Sequence, residues 1–187
     1  MRTRDPQIKS VHIFMMVFFA LLALYFRRLE NLEDYFIYGA TAIMSIHFWR
    51  GAVFFIRTIG PSKDLPGSFT DLAIMGLKIG SIYAIRNMPL WFLVNSAIMV
   101  LGVSKYYVAL RSDKAPGEED FVRSKISIET AAVIFLLVLA GITWSVDSGI
   151  FRKILSGAVL GVQPLFLFWA LCRKKIYGRR HKSRRVE

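Results

Sequence analysis

Acidic side chains are scarce in this chain of 187 residues: 13 Asp and Glu stand against 25 Lys and Arg. Cysteine occurs once, so no intramolecular disulfide forms and a disulfide scaffold is excluded. Cys172, at the end of the last apolar run, reads as a small interfacial residue or a palmitoylation site. The three histidines, His12, His47 and His181, have no metal-ligand spacing and no cysteine cluster beside them, so neither a metal nor a cofactor is expected. No nucleophile elbow, HExxH motif or P-loop is present, and no pair of carboxylates lies deep in an apolar run. These absences count against an intramembrane hydrolase and a proton-coupled transporter. A separate soluble domain is also missing. The longest connector, Arg111 to Lys125, has 15 residues, and a folded unit below about 40 residues usually needs disulfides, metals or a partner.

What is present is a series of long apolar runs, with 55% hydrophobic residues overall and the charges gathered at the ends and in short connectors. Such a pattern excludes an ordinary soluble enzyme and a disordered chain. A spanning helix needs roughly 20 mostly apolar residues. On that measure the expected fold is all-α, a polytopic membrane bundle of six transmembrane helices forming one domain over residues 1–172, followed by a basic tail over 173–187. The helices are placed at about 10–26, 35–56, 69–86, 89–110, 126–146 and 151–172. The first begins as a signal peptide would, but no cleavage site follows Tyr25-Phe26-Arg27-Arg28, so it reads as a retained anchor. The third, FTDLAIMGLKIGSIYAIR, is only moderately apolar, with Ser68 or Thr70 as N-cap candidates. If it is re-entrant or interfacial, five spans remain. The tight connector Arg86-Asn87-Met88-Pro89 favours an antiparallel hairpin with the fourth helix, and hence spanning.

Cytoplasmic connectors retain Lys and Arg. With six spans and a cytoplasmic N-terminus, 18 cations fall on the cytoplasmic side and 5 on the other, while Arg50 and Lys78 lie within helices. Both termini are therefore expected in the cytoplasm, and the expected location is a bacterial inner (plasma) membrane. The two halves do not repeat each other in their charged positions, which weakens an inverted-repeat transporter. Trp91, Tyr106, Tyr107, Trp144 and Trp169 read as an interfacial aromatic belt.

Charges inside the helices carry the functional signal. A central Lys or Arg costs about 2.5–3.5 kcal/mol on insertion scales, so such residues face the bundle interior, a wet cavity or an anionic partner. Arg50 and Arg57 share one face of the second helix, with His47 a turn earlier, and Lys78 sits midway along the third. With Lys105 they form a candidate anion site on the cytoplasmic side, with Arg50 and Lys78 as its core. Asp71 and Glu129 are the candidate ion-pair partners. His47 alone is more often a satisfied buried histidine than a ligand. Gly76/Gly80 and Gly157/Gly161 have the spacing that lets helices approach closely, within one chain or in a homo-oligomer. Asp71 and Lys78 fall opposite Gly76/Gly80, so the third helix is expected to pack through its glycines. Pro164, after Gln163, is expected to kink the sixth helix.

The partners these features imply are the lipid bilayer, anionic lipid at the cytoplasmic face and a second copy of the chain. The basic tail has no aromatic interleaving beyond Tyr177, so no specific nucleic acid is expected. Three function classes follow. The first is a non-enzymatic membrane module, such as an oligomeric channel, a pore-forming effector or an accessory subunit. The second is a carrier of a small anion or lipid. The third is an enzyme acting on an anionic lipid headgroup. Missing acid–base pairs count against the third and missing repeats against the second.

Overall fold

In the computed structural model the described residues are 6–60, 65–111, 119–146 and 149–172. They form six helices and no strand: α1 (Pro6–Tyr25), α2 (Leu32–Thr58), α3 (Leu65–Tyr83), α4 (Met88–Arg111), α5 (Glu119–Ser145) and α6 (Gly149–Cys172). A short 3-10 turn, Phe26–Arg28, follows α1. Four of them, α1, α2, α4 and α5, are long and apolar enough to cross a membrane.

Local chemistry explains the helix starts. Before α2, the buried Asp34 carboxylate accepts hydrogen bonds from the backbone N–H of Glu30 (3.2 Å) and of Asn31 (3.3 Å), satisfying donors that the helix cannot. Before α4, the Asn87 Oδ1 accepts from Leu90 N–H at 3.1 Å, and Pro89 occupies the first turn, where its missing N–H is harmless. The N-cap expected at Ser68 or Thr70 is not found. Leu65 already begins α3, and the Thr70 hydroxyl bonds back to Pro66 O at 2.9 Å. Likewise α5 begins seven residues before the expected Ile126. Its first two turns are polar and helical, and they lie outside the apolar run that marked the span.

The ends of the helices fix their sense. Arg86, after α3, pairs with Glu30, before α2, at 2.7 Å, and Tyr25 meets Tyr83 edge-on at 6.2 Å. The α1–α2 and α3–α4 connectors therefore share one end of the bundle. Phe55 of α2 meets Tyr106 of α4 at 5.2 Å toward the other end. α1 and α3 are parallel to each other and antiparallel to α2 and α4. Packing is most extensive between α4 and α5, then α2 and α6, then α3 and α4, with α1 laid on α2 and α3.

The main core draws Val11, Met15, Phe18 and Leu22 from α1, a stripe at helical spacing, with Ile37, Ile85, Trp91, Phe92 and Leu136. Trp91, read from sequence as part of the aromatic belt, is fully buried instead, and so is Tyr106, whereas Trp144 and Tyr107 are exposed. Trp91 goes inside because its one polar atom finds a partner there: Nε1–H donates to Thr41 Oγ1 at 2.8 Å, and that hydroxyl donates to Ile37 O at 2.8 Å. Thr41→Val keeps the shape and removes the acceptor. It is expected to lower stability by about 1 kcal/mol, the scale of an interhelical hydrogen bond in a membrane bundle. A thermal melt in detergent that matched wild type would mean that the indole finds another acceptor.

Two glycine expectations need correction. α3 does not pack through Gly76 and Gly80. A Cβ at either position, or at Gly161, would meet no described residue within 4 Å, whereas Lys78 on the opposite face of α3 is buried. The face that carries Lys78 is the one that α1 and α4 cover. Gly157 does sit at a contact, 3.4 Å from Phe36 Cε2, and its counterpart is Gly39, whose Cβ would stand 3.0 Å from Leu160 Cδ1. The α2–α6 crossing is thus a reciprocal notch, of which the Gly-x-x-x-Gly pattern marks Gly157 but not Gly39. The backbone of Pro164 is helical within α6, but its side chain and that of Gln163, with the kink expected of them, fall outside the described residues, as does the basic tail.

Candidate functional site

Lys78 is the deepest charge. It is 1% exposed, and its Nζ lies 5.7 Å from the centroid of the Phe18 ring on α1. α3 places it there because Asp71 and Lys78, seven residues apart, share the helix face that α1 and α4 cover. About two turns along this face, toward the other end of the bundle, Asp71 forms an ion pair with Lys105 of α4. Lys105 is held from a second side by the Phe55 ring, 4.6 Å from Nζ, a cation–π contact from α2. The pairing of Asp71 was expected; its partner on α4 ties the α3–α4 hairpin together well below its connector.

The second expected acid, Glu129, pairs along its own helix. Its Oε1 is 2.8 Å from Lys125 Nζ, one turn earlier on α5, and the two side chains are 16% and 5% exposed. A Cβ on Gly102 of α4 would stand 3.3 Å from Glu129 Oε2, so this glycine opens the notch that admits the carboxylate between α4 and α5. Lys125 and Gly102 were both missed in the sequence. Lys125 was counted with the connector, because the helical extension of α5 was not foreseen, and an isolated glycine has no pattern to announce it.

His47 of α2 lies within electrostatic reach of Lys125, Lys78 and Arg50, all of one sign. Arg50 and Arg57, however, are exposed on the outer face of α2. There they line a groove of about 420 Å³ with Ile46, Trp49, Val53 and Phe54. The five expected ligand residues therefore do not converge on one cavity. They divide into an interior set (Lys78, Lys105 and the partly buried His47, joined by Lys125) and an outward set (Arg50 and Arg57). The expected core pair, Arg50 and Lys78, does not share an open surface.

Five helices also bury polar side chains, including Thr41, Ser45, Ser81, Asn95, Thr143 and Ser156. Most of these hydroxyls donate to a carbonyl of their own helix. Asn95 donates from Nδ2 to Trp91 O at 2.8 Å, and its buried Oδ1 accepts nothing from the described residues. No group of three or more His, Cys, Asp or Glu that could hold a metal ion occurs among the described residues. No protein-family model, curated protein or solved structure matches the chain.

Proposed function

We propose that this chain is a small multi-pass integral membrane protein of non-enzymatic type, an oligomeric channel, pore-forming effector or accessory membrane subunit, with six spanning helices and both ends in the cytoplasm. The observation that carries this reading is the apolar exterior of the bundle, together with the polar side chains buried beside its apolar core. Lys78, Lys125, Thr41, Ser45, Asn95 and Ser96 are buried, while Met16, Leu24, Phe69, Leu72, Ile134, Ile154 and Leu165 are among the large apolar side chains left exposed. In water that arrangement wastes apolar surface; in hydrocarbon it is the stable one, since lipid solvates the outside and the polar groups find each other within.

The same observation supports a spanning α3. Its composition is marginal, but its charges face inward and its outer face presents Phe69, Leu72, Gly76 and Tyr83. Its 19 residues reach about 28 Å at 1.5 Å per residue, close to the ~30 Å hydrocarbon thickness. The outward Gly76–Gly80 step offers a second copy a surface that backbones can approach closely, in keeping with an oligomer. A second reading, a carrier of a small anion or lipid, draws on the exposed Arg50–Arg57 groove. The described carboxylates near the cations are engaged in ion pairs, which leaves the headgroup-enzyme reading without an acid–base pair.

Reporter fusions test the topology. Fusions after Asn87 and after Ser148 are expected to report the outside, and fusions at Lys114 and at the C-terminus the inside. An inside signal at Asn87 would make α3 re-entrant or interfacial and reduce the count to five.

A further inference from the structure

Ile46, Trp49, Arg50, Val53, Phe54 and Arg57 line the α2 groove. All six come from one helix, at steps of three and four, so they form a single longitudinal stripe. The stripe runs eleven residues, about 16 Å, which is half the thickness of a hydrocarbon core. Arg57 is one residue from the end of α2, and Arg50 lies seven residues deeper, about 10 Å along the axis. Both guanidinium groups are on the exposed face, and the four side chains between and beside them are apolar or aromatic.

Resting on the reading of α2 as a spanning helix, we infer that this stripe is a binding site for an anionic phospholipid. The phosphate lies between the Arg50 and Arg57 guanidinium groups, and the upper part of an acyl chain lies along Ile46, Trp49, Val53 and Phe54. The charge pattern selects the sign. A guanidinium at the depth of Arg50, on a face turned to lipid, is costly among hydrocarbon tails and favourable against a phosphate drawn down to it. Arginine suits this role because its planar fork meets phosphate oxygens two at a time. Helical side chains lean toward the N-terminus, so Arg57 leans inward from the surface, toward the turn that carries Arg50. The apolar wall selects lipid over a free anion, since an acyl chain can cover the open sides of Ile46, Trp49, Val53 and Phe54, whereas inorganic phosphate meets only the two arginines. The interior cations do not take part: Lys78 is buried against Phe18, and Lys105 and Lys125 are occupied by Asp71 and Glu129.

The test uses the full chain reconstituted in vesicles of equal parts phosphatidylglycerol and phosphatidylcholine with identical acyl chains, then extracted and measured by native mass spectrometry. Wild type is expected to retain one phosphatidylglycerol with a preference of roughly 30-fold, the value two near-surface cations give. The double variant R50Q/R57Q is expected to lose that preference, and R50K/R57K to keep part of it, because charge remains and the fork is gone. Lys78→Ala is expected to retain the lipid as wild type does. Melts of the lipid-stripped proteins show whether R50Q/R57Q is folded; single R57Q, at the end of the helix, gives the same reading if the double variant does not fold. Equal retention of the two lipids by wild type, or wild-type preference in either Gln variant, overturns the proposal. So does displacement of the lipid by excess inorganic phosphate, which would mark a free-anion site. The reporter fusions judge the topology separately, so loss of the lipid site with the topology intact is distinguishable from failure of the membrane reading.

Discussion

Glu129→Ala is expected to destabilise the protein by about 3–5 kcal/mol, the penalty for leaving one member of a buried ion pair without its partner. The basis is the position of Lys125. Its side chain is 5% exposed, and Glu129 Oε1 lies 2.8 Å from its Nζ. Remove the carboxylate and the buried ammonium group loses its counter-charge. The sign changes if both partners go. K125M/E129L removes the charge together with its compensation, and an ion pair replaced by apolar side chains of similar size is often neutral or stabilising. Unfolding of the four proteins of this cycle in detergent gives the coupling directly. A Glu129→Ala protein as stable as wild type would show that Lys125 reaches water or a headgroup on its own.

Gly39→Leu is expected to destabilise the α2–α6 contact by about 1–3 kcal/mol, the usual cost of overpacking. A Cβ at Gly39 already stands 3.0 Å from Leu160 Cδ1, and across the same crossing a Cβ at Gly157 would lie 3.4 Å from Phe36 Cε2. Each helix inserts a large side chain into the other's glycine, so the two backbones approach closely and a leucine at 39 has no place to go. Gly39→Ala is milder, because the terminal methyl of Leu160 can turn aside and alanine is the better helix former by about 0.8–1.0 kcal/mol. Gly39→Leu combined with Leu160→Ala should recover part of the loss. Gly76→Leu and Gly161→Leu serve as contrasts: no described residue within 4 Å of their Cβ positions resists them in one chain, so a monomer melt should be unchanged. If Gly39→Leu melts with these two, the crossing does not hold the bundle.

The helices were legible in the sequence because each is a long apolar run between charged connectors. The start of α5 was not, since Glu119 to Lys125 is mostly polar and its buried apolar side chain, Val122, packs against Tyr106 of α4, a contact that the local pattern does not announce. Asp71 and Lys78 were correctly placed on the face of α3 opposite Gly76 and Gly80, but which of the two faces turns inward depends on what surrounds the helix. A pattern of small residues says only that close approach is permitted. The pairing of Asp71 followed from its charge, while the choice of Lys105 required the register of the α3–α4 hairpin. Gly39 and Gly102 are single residues whose role exists only once Leu160 and Glu129 stand opposite them. The division of the cations followed from rotation of α2 about its axis, which turns Arg50 and Arg57 outward, and a helix with apolar residues nearly all round does not announce that rotation.

The Asp71–Lys105 pair has a bearing on how the chain enters a bilayer as it is made. Offered to lipid alone, α3 carries an anion and a cation, Asp71 and Lys78, each costing about 2.5–3.5 kcal/mol near the centre of a span. Offered together with α4, it brings Asp71 already paired with Lys105, leaving Lys78 as the charge that Phe18 of α1 covers, while its outer face carries Phe69, Leu72, Gly76 and Tyr83. The four residues between the two helices, Ala84 to Arg86 and the capping Asn87, are too few to let them settle independently. If α3 spans as proposed, its insertion waits on synthesis of the fourth helix, and the two are expected to enter the bilayer as one unit.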